Sequence, residues 1–227
     1  MSVIEFSSEL DRNERLAQLR NVLAEKFSTP ELHTGAVLST GLAAIDEKEG
    51  GVRKGAVTEI VGPTSSSALF LESILTRLKN DDIYAALVDA GRSFDPQGSE
   101  SDALQRLLWV RCETPKQAVK ATDLLLRDGN LPLVMLDFQT VPLREIQRIP
   151  AGTWHRFQRI LEPSDTALVV FSSQPVVQGA RVRIAMAQRW KLEAMCQRRR
   201  ELLDQITAQV FSRPEFSSLP AQKRSAG

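Results

Sequence analysis

The chain has 227 residues, 42% of them hydrophobic, and 29 Lys and Arg stand against 28 Asp and Glu. That length suits one domain with extensions, or at most two small domains, and the apolar share is that of a packed core rather than a disordered chain. No apolar run approaches the roughly 18 residues that span a bilayer, and the first twenty residues mix acids and arginines without an apolar signal segment. Two cysteines and two histidines make neither a disulfide framework nor a multi-histidine metal site. No membrane partner and no metal are therefore expected, and the cytoplasm is the expected compartment.

The near-zero net charge hides an asymmetry. Residues 181–227 carry ten Lys/Arg and four Asp/Glu, and residues 1–180 carry nineteen and twenty-four. Charge separated in this way directs the C-terminal part towards nucleic acid, an acidic partner or the body of the same protein, or leaves it a solvated basic end.

In chain order, Glu9 to Phe27 has the period of an amphipathic helix, with Leu16, Leu19, Leu23 and Phe27 three or four residues apart and Pro30 closing it. Such a stripe packs on its own domain or on a second protomer. Gly41 to Asp46 is a short helical turn capped by Ser39 or Thr40. Ala56 to Val61 is a strand running into the small-residue loop Gly62-Pro63-Thr64-Ser65-Ser66-Ser67, and Ala68 to Leu78 is a helix. Tyr84–Asp89, Leu107–Arg111, Leu131–Asp137 and Thr166–Phe171 are further apolar strands, separated by helices at Thr114–Leu126 and Trp154–Leu161. Apolar strands alternating with helices give an α/β fold, with a mostly parallel sheet and helices on both faces. Ligand sites in such sheets lie at the strand C-termini.

After Gly179 the period becomes two. Val182, Ile184 and Met186 alternate with Arg181, Arg183 and Ala185, and the pattern continues through Arg189, Trp190 and Lys191. It predicts a long strand or hairpin with one basic face. Arg198 to Phe211 then reads as a helix with the stripe Leu202, Leu203, Ile206 and Val210, followed by a Ser/Pro/Lys/Arg-rich tail. Three parts result: an N-terminal arm (1–30), an α/β core (31–194) and a C-terminal helix with a basic tail (195–227).

Strand, small-residue loop and helix is the layout of a phosphate-binding loop. A working loop of this kind reads G-x-x-x-x-G-K-[ST]: glycines let backbone N–H groups wrap the phosphates, the lysine neutralises them, and the hydroxyl holds magnesium. In register with Gly62, this sequence has Ser67 for the second glycine, Ala68 for the lysine and Leu69 for the hydroxyl residue. Gly62, Thr64, Ser65, Ser66 and Ser67 therefore form a vestigial phosphate loop, and the later strands end in polar residues at Asp137 and Gln174. The expected chain is not an enzyme and has no cofactor beyond weak ATP binding. Asp89, Asp95 and Asp137 converge on one rim if the strands lie side by side, but no histidine or further glutamate completes a metal or acid–base site.

The segment Ser39-Thr40-Gly41 and the run Gly50-Gly51-Val52-Arg53-Lys54-Gly55-Ala56-Val57-Thr58-Glu59-Ile60-Val61-Gly62-Pro63-Thr64-Ser65-Ser66 resemble the entry and phosphate loop of bacterial RecA recombinases. Leu87-Val88-Asp89-Ala90-Gly91 with Phe94-Asp95-Pro96 is similar to the segment that carries the family's catalytic glutamate, which would fall at Gly91. Val134-Met135-Leu136-Asp137 resembles the Walker B strand, and Phe171-Ser172-Ser173-Gln174 resembles the strand end with the γ-phosphate-sensing glutamine. The two segments that bind single-stranded DNA in that family correspond to Val141–Thr153 and Pro175–Ala180, both short. Within the superfamily the chain most resembles ImuA, also called SulA-like, whose members accompany translesion polymerases.

That resemblance implies a non-catalytic accessory of the bacterial DNA-damage response, with translesion polymerase components, RecA or single-stranded DNA as partners. Arg181, Arg183, Arg189, Lys191, Arg198, Arg199 and Arg200 are the candidate DNA or partner contacts, or a solvated strand face that discourages edge pairing. The N-terminal stripe, with Leu203 and Ile206, is the candidate surface for partners or for a homo-oligomer. Two alternatives stand beside this reading. One is a divergent DNA-dependent ATPase in which Lys54, Lys79 or a neighbouring protomer supplies the missing charge. The other is a modulator of RecA filaments.

Overall fold

The computed structural model describes residues 36–212, apart from residues 100, 189, 191–193, 195 and 198. The stripe Leu16, Leu19, Leu23 and Phe27 lies outside the described residues, as do Arg189, Lys191 and Arg198. No helix among the described residues is long and apolar enough to cross a membrane.

Strands β1 (Val37–Leu38) and β2 (Val52–Arg53) form a small antiparallel ribbon flanking helix α1 (Ala43–Glu49). Ser39 and Thr40 do not cap this helix as expected. Instead the Asp46 carboxylate collects the Ser39 hydroxyl at 2.7 Å, the Thr40 hydroxyl at 2.7 Å, and the N–H groups of Thr40 and Gly41 at 2.9 Å each. The helix thus reaches back to fix its own entry loop.

The main sheet has seven strands: β3 (Val57–Val61), β4 (Ala85–Asp89), β5 (Leu107–Arg111), β6 (Leu133–Asp137), β7 (Ala167–Ser172), β8 (Val182–Met186) and β9 (Ala208–Ser212). Their order is β5-β4-β6-β7-β3-β8-β9. Every pairing is parallel except that of β8 with β9. Strands β4, β6 and β7 are buried along their whole length, which is why they read as unbroken apolar runs.

Alternate residues face opposite layers. Ile60, Leu87, Met135, Val169 and Phe171 pack with Phe70, Ile74, Leu75 and Leu78 of helix α2 (Thr64–Asn80). Val57, Val88, Val134, Leu168 and Val170 pack on the other face with helix α4 (Pro115–Asp128) and helix α6 (Ala151–Leu161), through Ala118, Leu126, Trp154, Phe157 and Leu161. Helix α4 starts where Thr114 accepts the Gln117 N–H, and it stops at Gly129 in the left-handed region, φ 70°, as expected of an N-cap before proline and of a glycine terminator. Two single-turn helices, α3 (Ser101–Leu104) and α5 (Leu143–Ile146), fill connections.

The C-terminal part departs from expectation. The period-two strand ends at Met186, and the expected helix from Arg198 to Phe211 shrinks to α7 (Arg199–Leu203). The chain then returns as β9, antiparallel to β8 with Val182 opposite Ser212. Ile206 and Ala208 are buried in the α2 layer, with Leu202, Leu203, Val210 and Trp190 packed against it. The sheet thus includes residues 208–212, and the core does not stop at residue 194. Strand β8 presents a half-apolar edge that a helix could not satisfy with backbone hydrogen bonds, and β9 does so.

Candidate functional site

The C-terminal ends of β3, β4, β6 and β7 open into a cavity of about 460 Å³. The first two turns of α2 form one wall, through Thr64, Ser65, Ser67, Ala68, Leu71 and Glu72. Ser93, Phe94, Asp95 and Ser99 form the opposite wall, and Asp137, Gln139 and Phe171 form the floor. Thr64, Ser65, Ser67 and Asp137 from the sequence-derived set meet here.

Other members of that set lie elsewhere. Gln174 is exposed and outside the cavity lining. Ser66 faces away and donates its hydroxyl to the Gln188 carbonyl at 2.7 Å. A Cβ on Gly62 would sit 2.4 Å from the Met186 carbonyl oxygen, so glycine is required there by the passage of β8.

The loop itself is shorter than expected. Helix α2 begins at Thr64, not at Ala68, leaving only Gly62 and Pro63 between strand and helix. Gly62 donates its N–H to the Ser172 carbonyl at 3.2 Å, Pro63 has none to give, and the N–H groups of Ser66 and Ser67 donate to the Pro63 carbonyl at 3.0 and 3.1 Å. The backbone donors that a wrapping loop would aim at phosphate are here largely spent on the helix.

Gln139 is the residue that motif reading missed. It is 6% exposed, donates its amide to the Ser67 Oγ at 2.7 Å, and donates its N–H to Asp137 Oδ1 at 2.8 Å. Its Oε1 accepts from the Thr64 hydroxyl at 3.5 Å. The glutamine thus stitches the head of α2 to the end of β6. A polar residue two positions beyond a strand-end acid was the only signal in the sequence.

Asp137 also accepts the Ser93 hydroxyl at 2.6 Å. Burial pushes its carboxyl above the usual aspartate range against the opposing pull of the Ser93 hydroxyl and the Gln139 N–H, and the neighbouring Asp89 carboxylate adds to the rise. Asp89 is fully buried and receives the N–H groups of Ser93 and Phe94 and the Trp109 indole. It is a structural acceptor that folds residues 93–94 back over the strand ends. Asp95 caps the 3₁₀ turn Pro96–Gly98. No cluster of three or more potential metal ligands occurs among the described residues.

Charge in the cavity is one-sided. Glu72, Asp95 and Asp137 line it, and among the described residues no lysine or arginine does. Lys54 sits in the turn before β3, at the opposite end of that strand, and Lys79 pairs with Asp102 at 3.6 Å near the far end of α2. Neither supplies a cation here. At Gly91 an added Cβ would lie 1.9 Å from the Thr140 hydroxyl, so that position is closed to a side chain in this conformation.

The basic strand face also resolves differently from expectation. Arg183 is not a surface cation: its side chain is 11% exposed and meets the fully buried Glu59 at 2.6 Å. Arg181 pairs with Glu162 at 2.7 Å. Arg199 and Arg200 lie in α7, their side chains outside the described atoms. Ile206 is buried in the α2 layer, and Leu203 packs half-buried against it.

The RecA N-terminal domain model matches residues 22–148, which is more than half of the chain. The chain belongs to the RecA N-terminal domain family. It is 38% identical over 107 residues to protein RecA of Chlorobaculum tepidum, covering 44% of this chain and 31% of that one. It is 36% identical over 123 residues to protein RecA of Clavibacter michiganensis, covering 49% and 33%. The matched region thus spans about a third of the length of these RecA proteins. The crystal structure of the RadB recombinase superposes with a TM-score of 0.54 at 17% identity, covering 68% of this chain and 85% of that one, so the sheet and its helices share the RadB fold.

Proposed function

We propose that this RecA-family chain has lost nucleotide turnover and acts as an accessory of the ImuA kind, supporting translesion synthesis through contacts with polymerase components. The observation that carries the reading is the cavity at the strand ends, lined among the described residues by three carboxyl residues and no cation. A nucleoside triphosphate does not fit that chemistry. Its charge needs a lysine and a cradle of free N–H groups, and here Ala68 stands at the lysine position while α2 starts directly after Pro63.

The two segments that correspond to DNA-binding loops in the resemblance support the same reading. Residues 141–153 are folded into α5 and the start of α6, with Val141, Ile146 and Thr153 buried. Residues 175–180 are pinned where Glu59 accepts the N–H groups of Val176 and Val177 at 2.6 and 2.9 Å. Both segments are tied into the fold by these contacts.

The test is calorimetric titration of the full chain with MgATP, with and without single-stranded DNA, followed by affinity purification against the translesion polymerase proteins of the same cell. No heat in either titration together with polymerase co-purification is the expected result. Micromolar nucleotide binding strengthened by DNA would overturn the non-catalytic part and favour a divergent ATPase. Failure to retain any polymerase component would overturn the accessory part.

A further inference from the structure

The concentrated positive charge among the described residues is not on β8 but on the layer formed by α4 and α6. These two helices carry Lys116, Lys120, Arg127, Arg156 and Arg159 against Asp123 and Asp128. On α4, Lys116, Lys120, Asp123 and Arg127 follow the spacing that places residues on one helical face. Asp123 marks where that face meets α6: its carboxylate takes Arg127 and Arg156 at 2.8 Å each. One carboxylate shared by two guanidiniums leaves the cluster net positive.

Around it, Lys116, Lys120 and Arg159 are exposed and make no ion pair among the described residues. On α6, Gly152, His155, Arg156 and Arg159 line a shallow groove of about 600 Å³. No side chain obstructs its floor at Gly152, where an added Cβ would meet nothing within 4 Å.

We propose that this α4/α6 face is a docking surface for the phosphate backbone of duplex nucleic acid, used without reading bases. Successive cations at i and i+4 are about 6 Å apart along the helix, and exposed lysine and arginine stems can follow an irregular row of phosphates. Single-strand binding needs aromatic platforms for the bases. The aromatic side chains of α6, Trp154 and Phe157, point into the core instead. The surface is separate from the strand-end cavity, so the inference stands or falls independently of nucleotide binding.

The experiment is fluorescence anisotropy of the full chain with a 20-base-pair duplex at 50 to 200 mM salt. The comparison is with Lys116→Gln/Lys120→Gln/Arg159→Gln, whose exposed substitutions leave the thermal midpoint unchanged. Four net cations engaged give a log–log salt slope of about −3.6, or roughly a 150-fold loss of affinity across that range. Removing three should flatten the slope by about 2.7. A flattening of less than two would assign duplex binding to another surface and overturn the proposal. A wild-type chain that fails to bind the duplex at 50 mM salt would also overturn it and would leave the face to an acidic protein partner.

Discussion

Removal of the Arg183 guanidinium tests how the sheet is locked around β3. Glu59 is fully buried, and its carboxylate accepts Arg183 at 2.6 Å, the Val176 and Val177 N–H groups at 2.6 and 2.9 Å, and the Ser172 hydroxyl at 3.3 Å. Glu59 and Arg183 are register partners on neighbouring parallel strands, and Arg183 also donates to the Val177 carbonyl at 3.1 Å. One ion pair therefore joins β3, β8 and the 175–180 turn. Arg183→Met keeps the stem and leaves a buried carboxylate without its cation, which costs about 3–5 kcal/mol. For a chain of this size that is roughly 10 °C in Tm.

The double variant Glu59→Met/Arg183→Met removes the orphaned charge but leaves two amide N–H groups without an acceptor, at about 1–3 kcal/mol each. It should therefore be less destabilised than the sum of the singles, with a coupling of about 1–3 kcal/mol. Urea unfolding followed by tryptophan fluorescence and circular dichroism measures all four corners of this cycle. A loss below about 1 kcal/mol for Arg183→Met, or an additive cycle, would refute the argument that this pair is dry and mutually dependent.

Two further substitutions probe the cavity. Because the fold raises the Asp137 carboxyl above its usual range, the stability it contributes is complete below its unfolded value and is lost as pH rises through the folded one. Asp137→Asn mimics the neutral form, so in urea unfolding it should equal or exceed the wild type at neutral and alkaline pH, and the difference should close towards about pH 4. An opposite trend would mean that Asp137 is held ionised by its partners. Gly62→Ala pushes a methyl against the Met186 carbonyl and should cost about 1–3 kcal/mol of overpacking. Unchanged stability with altered nucleotide binding would instead return Gly62 to a phosphate role.

The fold was largely legible because many residues vote for it. The runs 84–89, 131–137 and 166–171 are apolar on both faces, and only a central parallel strand buries both. The boundaries of these three strands fell within two residues of those read from the apolar runs. The C-terminal part was misread for a definite reason. Leu202, Leu203, Ile206 and Val210 satisfy a helical period, yet Thr207 to Phe211 equally satisfies a period of two with a β-branched and aromatic content. The open edge of β8 decided between them, and a single sequence does not display an unpaired edge.

The site was less legible because its chemistry depends on a few atoms rather than a pattern. Arg183 in an alternating Arg-Val-Arg-Ile run looks like a solvated face, and the partner that draws it inward, Glu59, lies 124 residues away. Gly62 satisfies the first position of a phosphate loop, yet its space is taken by β8 rather than left for a ligand. Even the missing lysine, which is plain in the sequence, does not by itself say what became of the loop. Ser65, Ser66 and Ser67 could have formed a wrapping turn, but Ser66 and Ser67 turn their N–H groups onto Pro63 and become helix. Ser67 is then held from below by Gln139. A lysine restored at position 68 would therefore enter an α2 turn beside Asp137 and Glu72 and would not recreate the cradle. The path of the backbone between Gly62 and Ser67 thus departs from a wrapping loop as much as the identity of residue 68 departs from a lysine.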